Sequence, residues 1–109
     1  MIQPLDIFIY YVSWDNTGKR RPVLAYLINI DKIVVFPITT QYENKSETIR
    51  AKYFKVKDLA QSGLDRQSYI DTGTKYILPS SVVDKKNPIG KLSEDDAKRF
   101  KEFISQPPA

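Results

Sequence analysis

Apolar and polar positions along the chain divide into short apolar runs separated by polar turns, followed by one stretch of helical period. Pro4 makes residues 1–5 an irregular lead-in. Asp6–Val12 is rich in β-branched and aromatic residues and predicts a first strand. Its apolar residues do not alternate with polar ones, so both faces are expected to be covered, one by the core and one by a partner. Residues 23–30 and 33–38 are two further apolar runs, and Asn29, Asp31 and Lys32 mark a tight turn between them. They predict an antiparallel pair. Residues 48–56 set Ile49, Ala51 and Tyr53 against Arg50 and Lys52, the period of a half-exposed strand.

Residues 57–61 are long enough for one helical turn only, which Ser62-Gly63 would stop. Short strands are predicted at 68–71 and 75–78, around the turn Thr72-Gly73-Thr74. Pro79-Ser80-Ser81 breaks the second, and Val82-Val83 could begin another short element. Ser93 is a good helix N-cap, and Glu94, Asp95 and Asp96 suit the positive end of a helix dipole. Ala97, Phe100, Phe103 and Ile104 then recur at helical spacing, and Pro107-Pro108 ends the helix. The expectation is a mainly β, α+β fold: a small, strongly curved antiparallel sheet with short helices and a C-terminal helix. No repeat or linker interrupts it, so residues 1–109 are read as one domain.

Composition narrows the function classes. Lys and Arg number 17 against 13 Asp and Glu, a net charge of +4, which mildly favours an anionic partner. No apolar run is long enough to span a bilayer and the first residues do not form a signal peptide, so no membrane association is expected. The chain has no cysteine, which is compatible with the cytoplasm, the expected location. It also has no histidine, which removes the usual zinc sites and histidine acid–base catalysis. The acidic residues have no metal-ligand spacing, and neither a metal nor another cofactor is expected.

Two stretches carry candidate chemistry. Gly18-Lys19-Arg20-Arg21-Pro22-Val23-Leu24 places three cations between a glycine turn and an apolar run. Pro22 pushes Arg21 toward extended geometry at the mouth of a strand. A guanidinium held there can grip phosphate through its planar fork of donors. The alternative is a solvated charged loop. Pro37-Ile38-Thr39-Thr40-Gln41 ends the next strand in polar donors, a common way to hold site groups on a rigid element.

Taken together, these stretches resemble the PemK/MazF family of toxin endoribonucleases. Gly63-Leu64 before a short strand, and Ile89-Gly90-Lys91-Leu92-Ser93 before the last helix, complete the pattern over nearly the whole chain. The family usually opens its first strand with Gly-Asp; here Leu5 replaces the glycine and Asp6 remains. The resemblance implies an SH3-like barrel. It further implies a homodimer that binds single-stranded RNA across its shared face, neutralised by a cognate antitoxin of the PemI/MazE kind. DNA would be met only indirectly, through the antitoxin.

The resemblance assigns catalysis to Arg21 and Thr39. RNA supplies its own nucleophile, the 2′-hydroxyl, so the implied activity is metal-independent cleavage to a 2′,3′-cyclic phosphate. A protonated arginine readily stabilises charge or donates a proton. Some relatives are proposed to use it as a base, a role that stays open here. Some members also carry a catalytic histidine in the first loop, which this chain lacks.

One branch uses Arg-X-Asp on a later strand; here Tyr69-Ile70-Asp71 keeps only the aspartate. Asp71 is thus a third catalytic candidate, or simply a turn former before Thr72-Gly73. Where the family often has Arg-Thr, this chain has Lys75-Tyr76. The RNA-binding candidates are Lys19, Arg20, Thr40, Gln41, Lys75 and Trp14. At a strand end a tryptophan more often serves core or interface packing than base stacking. Two other classes fit the same barrel: a protein-binding toxin such as the CcdB gyrase poisons, and a nucleic-acid-binding module without activity.

Overall fold

A computed structural model describes residues 1–12 and 19–106. Trp14 and Gly18, and Pro107-Pro108, lie outside the described residues. The strands are β1 (Asp6–Val12), β2 (Lys19–Ile28), β3 (Lys32–Thr39), β4 (Tyr53–Lys55), β5 (Tyr69–Asp71), β6 (Tyr76–Pro79) and β7 (Gly90–Lys91). Helices α1 (Glu47–Arg50) and α2 (Leu59–Ser62) are single turns, and α3 (Glu94–Ser105) is the C-terminal helix. The sheet runs β4-β5-β3-β2-β1-β7, with β6 also paired to β3. All the pairings are antiparallel. The fold is a curved antiparallel half-barrel with short helices and a terminal helix, as the apolar pattern indicates.

The hairpin between β2 and β3 is closed by Asn29, whose side-chain oxygen accepts from the N–H groups of Asp31 and Lys32 at 3.2 and 2.8 Å. Beyond that turn β3 serves two partners along its second edge. It pairs with β6 from Lys32↔Pro79 to Val35↔Tyr76, and with β5 at Ile38↔Ile70 and Thr39↔Tyr69. Phe36 and Pro37 fall between these ladders. A proline has no N–H to offer, so its place where one ladder ends and the next begins spares a backbone bond.

Two segments differ from expectation. The cationic residues Lys19-Arg20-Arg21 do not form a loop: they open β2, paired with Val12, Tyr11 and Tyr10 of β1. The period of residues 48–56 suggests one strand, but only Tyr53–Lys55 is extended and Glu47–Arg50 is a helical turn. The Ser46 hydroxyl accepts from the Ile49 N–H at 3.3 Å and caps that turn. A local cap decides the conformation where a short alternation fits both periods.

The central strands are apolar on both faces because each covers a core. Ile7, Leu24, Phe36, Ile38, Phe54, Ile70 and Phe100 form one cluster, under α3. Phe100 is fully buried and meets Phe36, Phe54 and Tyr26 edge-on, at centroid distances of 6.1, 5.2 and 6.2 Å. Phe8, Val23, Ala25, Ile33 and Val35 form a second cluster, closed by Ile2, Leu78 and Val83. Both faces of β1 are therefore covered by the chain itself, one at Ile7 and the other at Phe8.

The lead-in is held in place by an unusual residue. Leu5 has φ of 71°, in the left-handed region. Its N–H donates to the Ala25 carbonyl at 2.7 Å, and its carbonyl accepts from the Leu92 N–H at 3.1 Å. Asp6 is buried and accepts from the Gln3 N–H at 2.8 Å. A glycine would take this φ without strain, which gives a physical reason for the Gly-Asp opening of the resembling family. Gly63 caps α2 at φ of 76°, and a Cβ there would overlap the Ile89 carbonyl. A Cβ on Gly90 would in turn overlap the Ser62 carbonyl. The two glycines let α2 and β7 meet backbone to backbone.

Candidate active site

Strand alternation separates core from site. On β3, β4 and β5, Ile38, Phe54 and Ile70 are buried, and the residues flanking each of them point to the opposite face. That opposite face carries Thr39 paired with Tyr69, Tyr69 with Lys55, and Asp71 with Tyr53. On β2 the register pairs Val23 with Pro37. Two residues further along each strand stand Arg21 and Thr39, so the same register carries both to one end of the hairpin, on one face.

An open cleft of about 260 Å³ lies at that end, lined by Arg21, Pro37, Ile38, Thr39, Gln41, Lys45, Tyr53, Asp71, Thr74 and Tyr76. It opens where β3 exchanges β6 for β5. Asp71 ends β5 and Tyr76 begins β6, so the two stand on opposite lips of the split. Thr39 Oγ1 accepts from the Gln41 N–H at 3.0 Å, which folds the strand end back toward the cleft. Asp71 Oδ1 accepts from the Gly73 N–H at 2.9 Å. Asp71 is therefore both a turn former and a cleft residue.

The segment after β3 forms one wall. Tyr42 stacks on Tyr69 with ring centroids 4.3 Å apart and an 11° interplanar angle. Lys45 N–H donates to the Tyr42 carbonyl at 3.0 Å, and Asn44 Nδ2 donates to Gln41 Oε1 at 3.3 Å. Arg50 donates from Nε to the Tyr42 carbonyl at 3.1 Å and from Nη2 to the Glu43 carbonyl. These bonds hold Gln41 and Lys45 at the cleft.

Two phenols stand among the charges. Burial, and then the Asp71 carboxylate, push the Tyr53 hydroxyl above the usual tyrosine range. Burial and then Asp71 also raise Tyr76, while the Arg21 guanidinium draws it back down. Both phenols therefore keep their protons at neutral pH.

Of the residues singled out by sequence, Arg21, Thr39, Asp71 and Gln41 line the cleft together. Arg20 pairs with Tyr11 and, as the neighbour of Arg21 in a strand, points to the other face. It is exposed, as are Thr40 and Lys75, and none of the three lines the cleft. Lys19 opens β2 opposite Val12. Trp14 lies outside the described residues. The cleft adds Lys45, Tyr53, Thr74 and Tyr76; Lys45 belongs to the polar loop 42–47, whose counterpart in the resembling family lies near the site, and Tyr76 to the Lys75-Tyr76 substitution for Arg-Thr.

No family model matches the chain, and no curated protein matches it either. Solved structures do. Mycobacterium tuberculosis toxin MazF-mt6 superposes with a TM-score of 0.65 over 91% of this chain and 91% of that chain, at 24% identity. A structure described as an Mtb toxin superposes with a TM-score of 0.57 over 77% of this chain and 88% of that chain, also at 24% identity. The chain thus has the fold of the MazF toxins.

Proposed function

We propose that this protein is the toxin of a type II toxin–antitoxin pair and acts as a metal-independent endoribonuclease on single-stranded RNA. The observation that carries this reading is the convergence of Arg21 and Thr39 on one open cleft, from the two strands of a single hairpin, in a MazF toxin fold. The 2′-oxygen of the substrate attacks its own phosphorus and the 5′-oxygen departs. Arg21 stabilises the charge gathering on the phosphoryl oxygens, and the Thr39 hydroxyl orients the same group. Lys45 and Gln41 hold the flanking chain, with net charge +4 assisting encounter with a polyanion. The products are a 2′,3′-cyclic phosphate and a 5′-hydroxyl.

On this reading RNA and a carboxylate-rich antitoxin segment compete for the same cations, and both bind less tightly as salt rises. A homodimer extends the RNA site across two copies. The test is labelled single-stranded RNA incubated with purified protein in EDTA. Wild type should cleave, and Arg21→Ala should be inactive while keeping its circular dichroism. An Arg21→Ala variant that cuts at the wild-type rate overturns the assignment. Lack of any RNA cleavage, with capture of a protein target instead, turns the reading toward a non-catalytic toxin.

A further inference from the structure

We propose that the Tyr76 phenol is the general acid of this cleft, giving its proton to the departing 5′-oxygen of the RNA. The proposal rests on the nuclease reading above and adds a residue to it. A histidine-free chain must find its acid among other groups. Expulsion of a 5′-alkoxide needs a proton, because an alcohol is a poor leaving group until it is protonated.

Three observations single out Tyr76. It lines the cleft with Arg21, Thr39 and Asp71. It begins β6, paired with Val35, whereas Asp71 ends β5, so the phenol and the carboxylate enter the cleft from the two strands that flank the split. It is also the phenol on which both Arg21 and Asp71 act, whereas Asp71 is the one charged group that shifts Tyr53. Burial and the Asp71 carboxylate keep the phenol protonated before the reaction. The guanidinium beside it then steadies the phenolate once the proton has gone.

The step balances as follows. The Asp71 carboxylate takes the 2′-hydroxyl proton and the 2′-oxygen bonds to phosphorus. The phosphorus–5′-oxygen bond breaks, and the Tyr76 proton passes to the 5′-oxygen. A carboxylic acid and a phenolate remain, and return of one proton from Asp71 to Tyr76 restores the starting state. No oxidant, reductant or metal takes part.

The experiment compares wild type, Tyr76→Phe and Tyr53→Phe on two oligoribonucleotides, one with the natural 5′-oxygen and one with a 5′-bridging sulfur at the scissile position. Sulfur leaves without protonation, so it bypasses the acid. Tyr76→Phe should lose about 100-fold or more in kcat on the oxygen substrate. It should keep its affinity for a non-cleavable 2′-deoxy analogue, and should cut the sulfur substrate at close to the wild-type rate. Tyr53→Phe should lose much less on oxygen and gain no selective rescue. A Tyr76→Phe defect equal on both substrates, or a rescue confined to Tyr53→Phe, overturns the assignment. So does Tyr76→Phe cleavage of the oxygen substrate at the wild-type rate. If wild type cuts neither substrate, the nuclease reading falls first and this proposal with it.

Discussion

Arg50 holds Tyr42 in two ways at once. Its Nε donates to the Tyr42 carbonyl at 3.1 Å, and its guanidinium carbon lies 5.1 Å from the centroid of the Tyr42 ring. The Tyr42 ring also stacks on Tyr69. One cation on a single-turn helix thereby fastens the segment carrying Gln41 and Lys45 to the sheet.

Arg50→Ala should therefore loosen the cleft wall without unfolding the protein. Amide exchange in residues 42–46 should accelerate at least tenfold, and the KM for RNA should rise severalfold. Global stability should fall by about 1 kcal/mol or less, since the contacts lie at the surface. Arg50→Lys should behave nearly like the alanine variant, because an ammonium cannot serve both carbonyls with a planar fork. Unchanged exchange in this segment would mean that the Tyr42–Tyr69 stack alone holds it.

Leu5 offers a second test. A non-glycine residue in the left-handed region costs roughly 1–2 kcal/mol. Leu5→Gly relieves that strain and loses a half-buried side chain of similar worth, so the urea midpoint should move little. Leu5→Ile keeps the volume but adds a β-branch where φ is positive. It should destabilise the fold by about 1–2 kcal/mol at unchanged m-value. An isoleucine variant as stable as wild type would show that the backbone turns without penalty here.

Asp96 is buried, accepts from the Lys57 and Asp58 N–H groups at 3.1 and 2.8 Å, and pairs with Arg99. It anchors the start of α2 to the first turn of α3. Asp96→Ala should cost about 3 kcal/mol, since it leaves two backbone donors and a cation without their acceptor. Asp96→Asn should recover part of that loss. The measurement is chemical denaturation, with Arg99→Ala as the second edge of a double-mutant cycle. Additive losses would mean that the backbone bonds, and not the ion pair, carry the anchor.

The raised phenols give the protein an alkaline limit. In the unfolded chain Tyr53 and Tyr76 ionise near the usual tyrosine value of 10.0, while in the folded chain they hold their protons to higher pH. Their contribution to stability is thus complete below that value and is lost as pH rises above it. The denaturation midpoint should fall as pH rises above 10.0, and Tyr53→Phe together with Tyr76→Phe should flatten that fall. Phenolate absorbance should show two fewer late-titrating tyrosines in the double variant than in wild type.

Local patterns determined much of this protein. The apolar runs of β1 to β3, the Asn29 turn, the Ser93 cap and the phenylalanine spacing of α3 each depend on neighbours within a few residues, so they are legible in one dimension. The Arg21 and Thr39 pair was legible through the family resemblance, and the register of one short hairpin is what brings the two to the same end of the sheet. Tertiary structure decided the rest. The surroundings of Lys19-Arg20-Arg21 depend on whether β1 reaches far enough to pair with them, and once it does, strand alternation sends Arg20 away from Arg21. The conformation of 47–50 was decided by the Ser46 cap and by the bonds of Arg50 to a loop several residues earlier. Tyr53 and Tyr76 come to the cleft from β4, which pairs with β5, and from β6, and the two meet only because β3 exchanges β6 for β5 around Pro37. Such a meeting depends on long-range pairing, and no local period along the chain records it.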